Sequence, residues 1–179
     1  MQTMRTARTI PLLIVCSLVV TLGACSSGPA PRAWAASVCK VLAPWRTEIG
    51  TLTTRTQQQM TAATTPAQAK ENLMRLFGGA ESASEKARAG VQGAGVPDVD
   101  EGKKVAESFT ASLSAMRDAY GRARTGIEAL TTSPSKDFYT RVGTVVETLN
   151  TEYKASELDT SNLSSVELKQ AFDEAPECR

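Results

Sequence analysis

The sequence predicts an all-α fold: an antiparallel up-down four-helix bundle with a short C-terminal helix pinned by a disulfide. Three observations carry that expectation. Apolar residues recur at three- and four-residue spacing over four long stretches. No stretch alternates with the period of a strand, and short segments rich in Gly, Pro and Ser separate the helical ones. Amphipathic helices with short connections bury their apolar stripes against one another, and antiparallel neighbours are the economical way to do it.

The first helix is expected over residues 33–60, where Trp34, Val38, Leu42, Trp45, Ile49 and Leu52 share one face. Pro44 interrupts that face and removes one backbone hydrogen bond, so the pattern predicts either a kink near residues 40–44 or two helices. The second helix has a strong start in Thr65-Pro66-Ala67-Gln68: an N-cap Thr, Pro at the first helical position, and Gln placed to close a capping box. Leu73, Leu76, Phe77, Ala80, Ala83, Ala87 and Val91 continue its face, Gly78-Gly79 weakens it, and Gly90, Gly93, Gly95 and Pro97 end it.

The third helix is expected over residues 98–130, about 50 Å long. Its stripe runs Val105, Phe109, Leu113, Met116, Tyr120, Ala123, Ile127 and Leu130, with Asp98, Asp100 and Glu101 in a first turn where carboxylates favour the helix dipole. Ser133-Pro134 opens the fourth, whose face is Phe138, Val142, Val145, Leu149 and Tyr153. A capping box from Ser164 to Glu167 opens a short fifth segment carrying Val166, Leu168, Ala171 and Phe172, which Pro176 stops.

The N-terminus has the parts of a secretory leader. Arg5 and Arg8 supply positive charge, no acidic residue precedes Glu48, and residues 10–24 are mostly apolar. A spanning helix needs about 20 apolar residues, so this run reads as a removed segment. Leu22-Gly23-Ala24-Cys25 at its end resembles the lipobox of bacterial lipoproteins. That resemblance implies a diacylglyceryl group on the Cys25 sulfur and cleavage just before it. Ordinary secretion, with cleavage near Ala24 or Ala33-Trp34-Ala35 and no lipid, is the alternative. The division expected is therefore a leader over residues 1–24, a flexible linker over 25–32 and a helical domain over 33–179.

Without its leader the chain keeps 18 basic and 19 acidic residues, a net charge of −1. Neither nucleic-acid steering nor a polybasic membrane patch follows from that balance. Cys16 leaves with the leader and Cys25 is the lipid site, so Cys39 and Cys178 remain. In an exported chain these two form one disulfide, with two free buried thiols as the alternative. Topology favours the bond, because a fourth pass of an up-down bundle ends where the first begins. The bridged end is then the membrane-proximal one, with the 90–97 loop at the base and the 61–66 and 131–135 loops pointing away. The plan, with Ala33-Trp34 through Leu42 early and Glu167 through Cys178 late, is similar to that of small uncharacterised secreted lipoproteins of high-GC Gram-positive bacteria.

Chemistry is scarce. Ser37-Val38-Cys39-Lys40 and Ser133-Pro134-Ser135-Lys136 match S-x-x-K, and Arg124-Thr125-Gly126 is near K-T-G, but neither has the sheet those nucleophiles need. Asp98-Val99-Asp100-Glu101-Gly102 resembles a calcium loop, yet Lys103 and Phe109 stand where an EF-hand needs Gly and Glu. The chain has no His, and two isolated cysteines make no zinc site, so neither a metal nor a cofactor is expected. The reading is a non-catalytic, lipid-anchored extracytoplasmic interaction or scaffold module, held to membrane lipid through Cys25 and meeting an envelope protein or polymer. The alternative is a carrier or sensor of a small apolar ligand, lined by Phe77, Gly78, Gly79 and Ala80, where small residues leave a gap between helices.

Overall fold

In the computed structural model, residues 28–156, 163 and 165–179 are described. The expected leader, Cys16 and the lipid site Cys25 lie outside the described residues, as does Ser164. The described residues form α1 (Pro31–Gln59), α2 (Pro66–Gly93), α3 (Gly102–Glu128), α4 (Ser135–Ala155) and α5 (Val166–Glu174), then a 3₁₀ turn, Pro176–Cys178. No strand occurs among them.

α1 begins at Pro31, two residues earlier than expected, because Pro pre-sets the first helical position. It runs unbroken through Pro44, so the two-helix alternative is not adopted. Residues 28–30 of the expected linker are folded against the loop between α2 and α3. Asp98 N–H donates to the Pro29 carbonyl at 3.0 Å. Gly28 has φ +98°, and a Cβ there would lie 2.2 Å from the Val96 carbonyl oxygen, so only glycine allows this approach.

The capping box of α2 forms as expected: Thr65 Oγ1 accepts from Gln68 N–H, and Gln68 Oε1 accepts from Thr65 N–H at 2.9 Å. α3 departs from expectation. It starts at Gly102, and Asp98, Asp100 and Glu101 precede its first turn instead of occupying it. The cause is local: the loop folds back so closely that a Cβ at Gly102 would lie 2.1 Å from the Pro97 carbonyl oxygen, and Glu101 takes a left-handed φ of 59° to enter the helix. The 27 residues of α3 span about 40 Å instead of about 50 Å. α5 is capped by Ser165, whose Oγ accepts from Leu168 N–H at 3.2 Å.

Neighbouring long helices run antiparallel. Val41 and Leu52 of α1 lie over Gly90 and Gly79 of α2, Glu81 and Glu85 of α2 pair with Arg124 and Arg117 of α3, and Arg122 of α3 pairs with Glu152 of α4. α2 packs most extensively on α3 and next on α1, α4 packs mainly on α3, and α5 lies on α1. Among the described residues the interior divides into two large clusters and a small one of Ala35, Ala171 and Ala175. One large cluster gathers Trp34, Val38 and Leu42 with Val91, Phe109 and Leu168. The other gathers Leu73 and Phe77 with Tyr120, Ile127 and Leu149. Cys39 and Cys178 are bonded, with their Cα atoms 5.1 Å apart across a sequence separation of 139. The expected pairing is the one observed.

Candidate functional site

The bridged pole is built on Trp34. Its indole is fully buried, and its Nε1–H donates to the Gly95 carbonyl at 2.9 Å, so the buried polar edge is satisfied. Phe109 and Phe172 meet it edge-on, with ring centroids 5.3 and 5.9 Å away, and stack on each other at 5.7 Å. α5 is therefore held on α1 by Phe172 and Leu168, and then covalently through Cys178. Lys40 pairs with Glu177 at 3.4 Å beside the bond. The Glu177 carboxyl is held below its usual range, first by its own backbone N–H and then by Lys40.

In the first S-x-x-K match the serine and the lysine each have another partner. Ser37 Oγ donates to the Ala33 carbonyl at 2.9 Å, while Lys40 is occupied by Glu177. Between α2 and α3, Glu85 accepts from Arg88 and from Arg117, and these hydrogen bonds, Arg88 first, lower its carboxyl to about 2. Tyr120 is pushed up to about 12 by burial first and then by Tyr153. The acidic loop residues Asp98, Asp100 and Glu101 border a cleft of about 680 Å³ with Ser165, Val166 and Glu167. Among the described residues no group of three or more metal-ligating side chains could hold an ion.

The four expected ligand-lining residues divide. Phe77 and Ala80 are buried in the second cluster. At Gly78 a Cβ would meet Arg124 Cδ at 3.3 Å, and the residue borders a cleft of about 610 Å³ toward α3 with Glu81, Arg117 and Arg124. Gly79 opens on a different space, on the other side of α2, between α2 and α1.

This groove, of about 620 Å³, is lined by Val41, Pro44, Trp45, Gly79, Ala83 and Gly90, with Lys40, Glu48 and Lys86 on its rim. Two close contacts bound it. A Cβ on Gly90 would lie 2.8 Å from Val41 Cγ2, and one on Gly79 would lie 2.9 Å from Leu52 Cδ1, so glycine lets the helices touch at both places. Trp45 forms one wall, its Nε1–H donating to Ser84 Oγ at 3.1 Å. Pro44 has no N–H, so the Lys40 carbonyl lacks its helical donor at the groove's edge. The available signal for this feature was the spacing of Gly79, Ala83, Lys86 and Gly90 on one helical face, which is shared with ordinary close packing.

No protein-family model, no curated protein and no solved structure matches this chain. Among the described residues, no helix is long and apolar enough to cross a membrane.

Proposed function

We propose that the chain is a lipid-anchored, non-catalytic helical module on the outer face of a cytoplasmic membrane, presenting its surface to another envelope protein or polymer. The carrying observation is the Cys39–Cys178 bond, which belongs to an oxidising compartment and so accords with an exported chain. The leader and the Leu22-Gly23-Ala24-Cys25 motif supply the anchor in this reading. Two or three acyl chains, at about 0.8 kcal/mol per buried methylene, hold a protein firmly at a bilayer. The docking of residues 28–30 against the α2–α3 loop supports an anchor that enters at the bridged pole. The four long helices read as an up-down bundle, supported by the antiparallel contacts of α1 with α2, α2 with α3, and α3 with α4. Crosslinking in intact cells tests the module: a reproducible envelope partner supports it, and repeated recovery of the chain alone contradicts it.

A second reading, a carrier or sensor of a small apolar ligand, is favoured by one observation, the groove between α1 and α2. Native mass spectrometry of the purified chain separates the two. A retained ligand mass supports the carrier, and a clean mass of the protein alone counts against it.

A further inference from the structure

The geometry points to the α1–α2 groove as a binding site for a free single-chain anionic amphiphile, of the class of a medium-chain fatty acid. This rests on the carrier reading and adds to it the shape, the head-group charge and the direction of the ligand.

Shape comes first. The Val41–Gly90 and Leu52–Gly79 contacts are each eleven residues apart along both helices. About 16 Å of helix therefore lies between them. Over that length α2 offers Ser82, Ala83, Lys86 and Ala87 to the groove, and none carries an apolar side chain long enough to fill it. Trp45 does not fill it either, because the bond to the fully buried Ser84 tethers the indole at one edge. The result is an elongated trough with apolar walls. An extended chain matches that outline, and a fused-ring ligand does not.

Charge sets the head group. On α2, Glu81 pairs with Arg124 while Glu85 pairs with Arg88 and Arg117, all toward α3. Lys86 has no ion-pair partner among the described residues, and it borders both the groove and the cleft toward α3 that Glu81, Glu85, Arg117 and Arg124 line. The antiparallel register set by the two glycine contacts puts Lys86 level with Trp45 and Lys40 beside the Gly90 end. Glu48 lies in the half nearer Gly79. Positive charge is thus gathered toward the Gly90 end of the rim. A carboxylate seated there meets Lys86, with Lys40 shared with Glu177, while its chain runs along Pro44, Trp45 and Ala83 toward Gly79. The Lys86 stem covers apolar surface while its ammonium stays at the rim.

The test uses the purified mature chain with its disulfide intact, titrated with laurate and, in parallel, with lauryl alcohol. Tryptophan emission is followed, and Trp45→Phe identifies which of the two indoles reports. Laurate is expected to bind about two- to fivefold more tightly than the alcohol at low salt, the gain that one exposed ion pair supplies. Lys86→Ala, at an exposed position, removes that difference, and Lys86→Glu reverses it. Ala83→Leu fills the trough and weakens both ligands about tenfold or more, with the melting temperature read alongside. Equal binding of acid and alcohol, or indifference to Lys86→Glu, overturns the anionic site while leaving the carrier reading standing. Binding of neither ligand overturns both.

Discussion

The two poles of the molecule are held by different means. At the bridged pole three aromatic rings, Trp34, Phe109 and Phe172, interlock, and a covalent bond ties the chain's tail to α1. At the opposite pole the helix ends are tied by polar contacts. Thr64 Oγ1 donates to the Gln59 carbonyl at 2.9 Å, Thr65 and Gln68 close a capping box, and Lys70 Nζ donates to the carbonyls of Glu128 and Leu130 at 2.7 Å. Each cap satisfies backbone groups that a helix end leaves open, at about 1 kcal/mol apiece. No single contact decides folding at that pole. At the bridged pole a single change can.

The largest effect is therefore expected from Cys39→Ser combined with Cys178→Ser. For a closed loop of 139 residues the entropy model gives about 5 kcal/mol, and measured losses commonly fall at about 2–5 kcal/mol. Denaturant titration measures the total. Hydrogen exchange sharpens the comparison: amides of α5 and the tail should lose protection first, while those of α2 near Leu73 keep theirs. Uniform loss along the chain would break the distinction between the poles.

Phe109→Ala comes next, at about 3–5 kcal/mol, because it removes a ring that is 1% exposed and touches both Trp34 and Phe172. Phe138→Ala at the opposite pole removes an equally buried ring whose aromatic neighbour, Tyr139, is exposed. It should cost less, since that surround is freer to collapse onto the space. Equal losses in thermal melts would show that burial alone sets the cost. Thr65→Ala is smaller again, about 1 kcal/mol, with fraying confined to the start of α2.

The smallest expected effect lies between the poles, at Glu85. Its folded carboxyl titrates near 2 against an ordinary value of 4.5, because Arg88 and Arg117 donate to the ionised form. A depressed carboxyl stabilises the fold fully above the unfolded value. That contribution is lost as pH falls from 4.5 toward about 2. Glu85→Gln should flatten this part of an acid titration. A curve unchanged in that window would remove Glu85 as its source.

Much of this architecture is visible in the residues, and the rest is absent for identifiable reasons. The start of α2 was legible because Thr65, Pro66 and Gln68 act within one turn, where sequence and geometry coincide. The Cys39–Cys178 bond was legible from compartment and count. The start of α3 was not. Asp98, Asp100 and Glu101 look like a favourable first turn, but the close approach of Gly102 to the Pro97 carbonyl pushes the helix later. The folding of residues 28–30 depends on Gly28 accepting a positive φ beside Val96, which no local pattern announces. The candidate site was half legible. Gly79 was singled out for its size, yet which side of α2 it opens on depends on how α1 registers against Gly79 and Gly90. Periodicity marks the face of a helix and says nothing of the register between two.

The central proposal is an anchored module whose anchor and covalent bridge share one pole. Mass spectrometry of the chain recovered from the membrane fraction, intact and then peptide-mapped without reduction, tests it most directly. The account predicts a mature chain beginning at acylated Cys25, with Cys39 linked to Cys178. An unacylated chain in the soluble fraction, or Cys39 and Cys178 recovered as free thiols, would contradict it.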